Sequence, residues 1–328
     1  MSTGLLTHVD LSGSMGALQI GSIIAVYIFG IVTLQAHIYY TTFPGDSWKY
    51  KTLVAAVWLL ELTHTVGISY EVYRATIVLY GRPDLLTSFP VLGSMTGVGG
   101  AITLLVQTYF SLRLYKVLPK PWCHIGLACI TVSTMRFFAS IYLSVRAAQA
   151  TSLATYRHDQ AWLISALLTS GAVVDIVIAA TMLQYLMKKR EKGLQRMATV
   201  VDRLIAYTIR SGLLTSISAA VMLICFQAMP NNLVWLAMYS FLAKLYSNSL
   251  LSALNARQTL RDEITNSMPS VDRFTRSKGG LRRDGSVDPA RFYNASQVIS
   301  IEMKTTTETI QDDVKAGPSY QLDADQKI

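Results

Sequence analysis

Residues 18–40 read LQIGSIIAVYIFGIVTLQAHIYY, a predominantly apolar run that contains no Asp, Glu, Lys or Arg. A helix needs about 20 residues to cross a hydrocarbon core about 30 Å thick. Six further apolar runs of comparable length follow, at 52–79, 89–115, 122–147, 161–187, 203–229 and 232–255. Because lipid-exposed backbone must satisfy its own hydrogen bonds, such runs cross a membrane as helices. The sequence therefore predicts an all-α membrane protein, a seven-transmembrane-helix bundle.

The basic residues between the runs predict the orientation of the bundle, because Lys and Arg concentrate in cytoplasmic connections. Residues 1–17 contain neither Lys nor Arg. One side of the bundle carries eleven basic residues in its connections: Lys49, Lys51, Arg113, Lys116, Lys120, Lys188, Lys189, Arg190, Lys192, Arg196 and Arg203. The opposite side carries Arg74, Arg82, Arg146 and Arg157. We therefore expect a multi-pass protein with its N-terminus outside and its C-terminus cytoplasmic. The plasma membrane is the simplest host, although the run lengths suit several membranes.

Composition divides the chain into a short N-terminal segment, 1–17, a transmembrane domain, 18–255, and a polar tail, 256–328. From residue 255 onward eleven Lys or Arg balance eleven Asp or Glu, so the net charge of +9 belongs to the first 254 residues. That charge lies in short connections and not on one solvated face, which argues against a nucleic-acid partner. The tail has few large apolar residues, so we expect it to be disordered. A short amphipathic stretch, 255–265, is expected to continue the last helix.

Several ionisable residues lie within the apolar runs, where they form a candidate intramembrane polar network: Glu61, His64, Glu71, Arg136, Asp175, Arg210 and Lys244. At about 100° per residue, Glu61, His64 and Glu71 share one face of a helix. Buried charges are costly unless they are paired, so these groups should face the bundle interior. Comparable depth favours pairing Asp175 with Lys244, and Glu61 with Arg210. The network is interpreted either as a structural clamp or as a ligand, ion or proton site.

Gly93 and Gly97 are four residues apart in the third run and predict a helix face that another backbone can approach closely. The partner is expected to be a neighbouring helix of the bundle, with a dimer interface as the alternative.

Motifs for catalysis or metal binding do not occur in the sequence. It contains no glycine-rich phosphate loop, no nucleophile-elbow serine and no His-Glu-x-x-His. His64 has no second His or Cys at metal-site spacing. We therefore predict no enzyme activity, no catalytic or metal-binding residues and no cofactor.

Five stretches resemble a known family: Phe43-Pro44-Gly45-Asp46, Val106 to Arg113 (VQTYFSLR), Asp202 to Tyr207 (DRLIAY), Ser211 to Ser216 (SGLLTS) and Lys244 to Leu251 (KLYSNSLL) with Leu254-Asn255-Ala256-Arg257 after it. Together with His64 and Asp175, they resemble the fungal seven-span membrane proteins of the domain of unknown function 6534 family. The similarity covers roughly residues 15–260. It implies seven helices, an outside N-terminus and a variable cytoplasmic tail, and it implies no activity.

A receptor-like or sensor-like protein suits the short outer connections, the basic third inner connection and the polar tail. The lipid bilayer is the expected environment, with a small or lipophilic ligand and a cytoplasmic partner of the tail as further expected partners. A transporter or permease that uses the polar residues as a track is the alternative. A retinal protein built on Lys244 and a membrane scaffold are minor alternatives. The retinal protein is a minor alternative because the third run offers no carboxylate as a counter-ion to a Schiff base at Lys244.

Overall fold

The computed structural model describes residues 15–80, 82, 89–192, 195–229 and 232–266, and the side chains of 189–211 and 259–266 are not described. The chain divides into two compact units, Met1–Arg273 and Phe274–Ile328, and every described residue belongs to the first. The predicted disordered tail lies outside the described residues from 267 onward.

Seven α-helices make up the described part of the chain: α1 (Ala17–Thr42), α2 (Trp48–Tyr73), α3 (Pro90–Val117), α4 (His124–Gln149), α5 (Leu153–Lys192), α6 (Gln195–Ala228) and α7 (Val234–Asn266). A π-helical turn, Arg74–Val78, continues α2. Each helix corresponds to one of the seven apolar runs, although the helix bounds and the run bounds differ by a few residues at several ends.

Three helices extend well beyond the runs that predicted them. α5 and α6 each begin eight residues earlier than expected, and α7 continues through the amphipathic stretch to Asn266. These extensions are polar, and hydropathy detects only the apolar part of a helix. Arg157, which was assigned to a connection, therefore lies within α5, with its guanidinium 4.9 Å from the centre of the Phe226 ring.

The helices form a closed ring in which each packs against its neighbours in sequence, and α7 returns to α1. α3 and α7 also contact each other inside the ring. One buried apolar cluster includes Val32, Val57 and Leu250, and a second includes Ile68, Leu92 and Trp235. α3 and α7 contribute to both clusters, so any interior site is built mainly on these two helices.

The outer surface of the helices is apolar, whereas charged side chains are buried in the interior of the bundle. On α1, Ile20, Ile23 and Tyr27 are 62%, 63% and 71% exposed. Glu61 and Lys244, in contrast, are both fully buried. Soluble proteins rarely expose apolar patches of this extent. The distribution is the one expected of helices that face lipid.

Gly93 and Gly97 both face α4. A Cβ on Gly93 would overlap the Cβ of Ala147, and a Cβ on Gly97 would lie 3.3 Å from Ser144 Oγ. Ser144 Oγ in turn donates to the Ser94 carbonyl at 2.7 Å. The two glycines thus allow α3 and α4 to approach closely within one bundle.

We expect Gly93→Val to destabilise the bundle by about 1–3 kcal/mol, the usual cost of overpacking. Gly30→Val on α1 is the matched control, because nothing lies within 4 Å of a Cβ at Gly30. Thermal unfolding in detergent measures both variants. Equal melting temperatures would contradict the packing, and a change of oligomeric state confined to Gly93→Val would favour the dimer alternative.

Candidate functional site

A buried cluster of ionisable groups joins α2 to α7. Lys244 Nζ lies 3.1 Å from Glu61 Oε2 and 3.1 Å from His64 Nδ1. Ser247 Oγ donates to the other carboxylate oxygen of Glu61 at 2.6 Å. All four residues are fully buried. The ammonium and the carboxylate compensate each other, which is the condition under which buried charges are tolerated.

His64 connects this cluster to the interior of the bundle. Because an ammonium can only donate, His64 Nδ1 accepts and the ring proton lies on Nε2. Nε2 is buried and has no hydrogen-bond partner among the described residues. It would lie 3.5 Å from a Cβ at Gly99, and the His64 ring meets the Tyr239 ring edge-on at 5.8 Å.

A second buried network centres on Asp175 of α5. Its Oδ1 accepts from Gln107 Nε2 at 2.8 Å and its Oδ2 accepts from the Tyr246 hydroxyl at 2.6 Å. The amide oxygen of Gln107 accepts from Arg136 Nη1 at 2.7 Å and from Ser133 Oγ at 2.9 Å. The network therefore joins α3, α4, α5 and α7, with Gln107 between a carboxylate and a guanidinium.

The predicted ion pair between Asp175 and Lys244 is wrong. Lys244 pairs with Glu61 and not with Asp175, whose oxygens are occupied by Gln107 and Tyr246. The proposed partner of Glu61, Arg210, lies in α6, but its side chain lies outside the described residues. Depth along the bundle does not identify neighbours around a ring, and that is why the prediction failed.

Glu71 occupies a separate position at the start of α3. Its Oε2 accepts from the backbone N–H groups of Val91 and Leu92 at 2.8 and 3.1 Å, and its Oε1 accepts from Arg74 at 2.6 Å. These N–H groups belong to the first turn of α3 and have no partner within the helix. A carboxylate is favoured there by the helix dipole as well. Glu71 thus anchors α3 to α2 and does not join the other two clusters.

A cavity of about 150 Å³ lies between α3, α4, α5, α6 and α7. Its wall is largely apolar, with Leu92, Phe137, Leu168, Met222 and Trp235 among its residues. Polar groups enter it from Arg136, Ser133, Tyr239 and Tyr246. Mostly apolar cavities with a few convergent polar groups are the usual form of small-molecule sites. Tyr246 belongs both to the cavity wall and to the Asp175 network.

Around Arg257, α7 is held against the connection between α1 and α2. Arg257 Nη2 donates to Asp46 Oδ2 at 2.7 Å, and its guanidinium lies 4.7 Å from the centre of the Phe43 ring and 5.4 Å from that of Tyr50. The buried Tyr39 hydroxyl donates to the same carboxylate at 2.7 Å. We call Tyr39, Phe43, Asp46, Tyr50 and Arg257 the α7 clamp.

The pKa of Asp46 shows how the clamp depends on pH. Partial burial alone would raise this pKa, but the hydrogen bonds from Arg257 and Tyr39 outweigh it and hold the pKa below its ordinary value. Ionised Asp46 therefore stabilises the folded state at neutral pH, and this contribution is lost as the pH falls through the depressed pKa. Because the pair is partly exposed, we expect its contribution to be at most about 1 kcal/mol.

Three residues of these networks, Gln107, Tyr246 and Arg257, were not predicted as site residues. Gln107 and Tyr246 are uncharged, and Arg257 lies beyond the last apolar run. All three nevertheless lie in the stretches that resemble a known family. The structure gives those stretches a physical role, because it brings Asp46 to Arg257, and Gln107 and Tyr246 to Asp175.

Among the residues that the structure describes, five helices are long and apolar enough to cross a membrane: Ala17–Thr42, Trp48–Val78, Pro90–Val117, His124–Gln149 and Leu153–Lys188. A shorter apolar segment, Gly212–Ala228, belongs to α6. Lipid-facing apolar surface, buried ion pairs and these five helices together define a multi-pass α-helical membrane protein.

Residues 171–259 match the family model described as "Family of unknown function (DUF6534)". The match covers the second half of α5, all of α6 and most of α7, and so includes Asp175, Lys244 and Arg257. No curated protein and no solved structure matches the chain.

Proposed function

We propose that this protein is a seven-span, receptor-like sensor that binds a small lipophilic ligand within its helix bundle. The observation that carries the proposal is the cavity among α3–α7, whose wall includes two tyrosines of α7, Tyr239 and Tyr246. The resemblance to fungal seven-span proteins and the distribution of basic residues support an outside N-terminus and a cytoplasmic tail. In that orientation the cavity lies in the outer half of the bundle.

α7 offers a physical connection from the cavity to the cytoplasmic end. Tyr239 contacts His64 of the Glu61 cluster, and Tyr246 donates to Asp175. Lys244 lies between them in sequence and pairs with Glu61. Farther along the same helix, Arg257 forms the clamp with Asp46. A ligand that shifts α7 would therefore act on both polar clusters and on the clamp before the tail.

The test compares cells that lack the protein with cells that express either the full chain or a chain ending at Asn266. Transcript profiles are recorded after exposure to a panel of small lipophilic acids, alcohols and amines. We expect the full chain to restore a response that the truncated chain does not restore, with both present at the cell surface. A response fully restored by the truncated chain would contradict signalling through the tail. Identical profiles with and without the protein would contradict sensing.

Transport is the second candidate, because Arg136 and Tyr246 connect the cavity wall to the buried carboxylate of Asp175. Such a series of polar groups is typical of solute and proton pathways in membranes. Flux into proteoliposomes, compared between the native chain and Asp175→Asn, separates transport from sensing. Flux that depends on Asp175 would favour the permease.

A retinal protein is less well supported by the geometry. Glu61 does supply Lys244 with a carboxylate partner, from α2 and not from α3. Lys244, however, is not among the residues that line the cavity in the described part of the chain. A cavity of about 150 Å³ is comparable with one that holds benzene, which is far smaller than retinal. Neither this reading nor a scaffold role accounts for the polar groups on the cavity wall, and we propose no enzymatic role.

A further inference from the structure

We infer that the cavity binds a small lipophilic carboxylic acid whose carboxylate pairs with Arg136. This inference rests on the proposed function and names the chemical class of its ligand. Three features of the cavity carry it: the charge on its wall, the way the guanidinium is held, and the size and character of the remaining space.

Arg136 is the one charged residue among those described as lining the cavity. It forms no salt bridge with a described carboxylate: the described ion pairs join Arg74 to Glu71, His158 to Asp159, Lys244 to Glu61 and Arg257 to Asp46. The nearest counter-charge in its network, Asp175, lies behind Gln107 and is not part of this wall. An anion in the cavity would therefore meet a positive charge directly and no carboxylate on the wall.

Neighbouring residues position the guanidinium of Arg136, but those that the structure describes do not accept hydrogen bonds from all of its N–H groups. Arg136 Nη1 donates to Gln107 Oε1 at 2.7 Å, and Nε donates to the Leu167 carbonyl at 3.2 Å. A Cβ on Gly171 would overlap Nη2, so the absence of a side chain there lets the guanidinium lie against α5. Nη2 has no hydrogen bond among the described residues. A planar, positioned guanidinium with donors remaining matches the geometry of a carboxylate.

The rest of the cavity selects an apolar body of limited length. Leu104, Phe137, Leu143, Leu167 and Met222 lie on its wall. Its volume of about 150 Å³ equals that of an engineered apolar cavity that accepts benzene. An acid with roughly six to ten non-hydrogen atoms, such as hexanoic or benzoic acid, fits this space.

Binding of radiolabelled hexanoate to the full-length protein in lipid nanodiscs tests the inference, with empty nanodiscs to subtract partition into lipid. Arg136→Gln removes the positive charge. Arg136→Lys keeps the charge but loses the planar guanidinium that can bind a carboxylate through two parallel hydrogen bonds. Arg146→Gln is the matched control, because Arg146 is an exposed arginine on the same helix. We expect saturable binding that Arg136→Gln weakens at least tenfold, that Arg136→Lys partly restores and that Arg146→Gln leaves unchanged. Gel filtration confirms that each variant is folded.

Competition by hexanol and hexylamine separates failure of this inference from failure of the proposed function. Benzoate should displace hexanoate. Hexanol, which is neutral, and hexylamine, which is cationic, should displace it only weakly. If hexanol or hexylamine binds as well as hexanoate, and equally to Arg136→Gln, the cavity remains a ligand site but the carboxylate assignment is overturned. If none of the four compounds binds saturably to the native chain, the inference is overturned as well. The transcript comparison then decides the proposed function separately. If Arg136→Gln fails to fold, the comparison of the native chain with Arg136→Lys remains. Equal hexanoate binding by these two proteins would contradict the proposal that the guanidinium of Arg136 binds the carboxylate through two hydrogen bonds.

Discussion

Replacing Lys244 with Ala is expected to lower the stability of the bundle by about 3–5 kcal/mol, the cost of leaving a buried charge without its partner. Lys244 and Glu61 are both fully buried, and the carboxylate would retain only the hydrogen bond from Ser247. Lys49→Ala, at an exposed position in the first turn of α2, should change stability by less than about 0.5 kcal/mol.

Folded yield after detergent extraction and thermal unfolding measure the difference. A double variant, Glu61→Gln with Lys244→Met, removes both charges and should recover much of the loss, because replacing a buried pair costs less than breaking it. If Lys244→Ala and Lys49→Ala give equal yields and equal melting temperatures, the pairing does not stabilise the fold. If the double variant is no better than the single one, the loss does not come from the unpaired carboxylate.

Gln107→Leu should be the most harmful substitution at a neutral position, with an expected loss of about 2–4 kcal/mol. Hydrogen bonds between neutral groups in membrane helices contribute only about 0.6 kcal/mol on average. Two of the bonds of Gln107, however, involve the charged groups of Asp175 and Arg136, and hydrogen bonds to charged groups contribute about 1.5–3 kcal/mol each. Ser133 keeps its second bond, to the Cys129 carbonyl at 2.8 Å.

Gln149→Leu is the matched control for Gln107→Leu, because Gln149 is exposed at the end of α4. Unfolding of the two variants is followed at neutral pH in the same detergent. A combined Gln107→Leu and Asp175→Leu variant should cost less than the sum of its two single variants, since both remove the same bond. Additive losses, or equal melting of Gln107→Leu and Gln149→Leu, would contradict the network.

The sequence predicts the helices well because an apolar run long enough to span a membrane is a local property. It also predicts the polar face of α2, since helical periodicity alone places Glu61, His64 and Glu71 together, and all three are buried. Helix starts were less predictable where polar residues precede an apolar run, as they do in α5 and α6. The continuation of α7 beyond its apolar run was predicted from the amphipathic stretch 255–265.

Neighbours across the bundle could not be predicted, because they depend on the order and rotation of helices that are distant in sequence. Comparable depth in the membrane predicted Asp175 as the ion-pair partner of Lys244. In the structure α2 lies next to α7, and Lys244 pairs with Glu61 instead. The neutral bridge Gln107 gave no electrostatic signal at all. The cavity is likewise a property of five packed helices, and of the ionisable residues predicted within the apolar runs only Arg136 is described on its wall.

The α7 clamp illustrates what a resemblance adds without naming a function. Asp46 and Arg257 lie in two stretches that are separated by most of the chain, and each was noted only as part of a family pattern. In the structure they form an ion pair surrounded by Tyr39, Phe43 and Tyr50. The pair holds the part of α7 around Arg257 against the connection between α1 and α2.

Labelling of terminal tags in intact and permeabilised cells tests the central claim most directly, namely that seven helices cross the membrane and place the two ends of the chain on opposite sides. A tag before Met1 should be labelled by an impermeant antibody in intact cells, and a tag after Ile328 only after permeabilisation. An N-terminal tag hidden until permeabilisation, or both tags labelled on the same side, would contradict the seven-span arrangement and the outer position of the cavity.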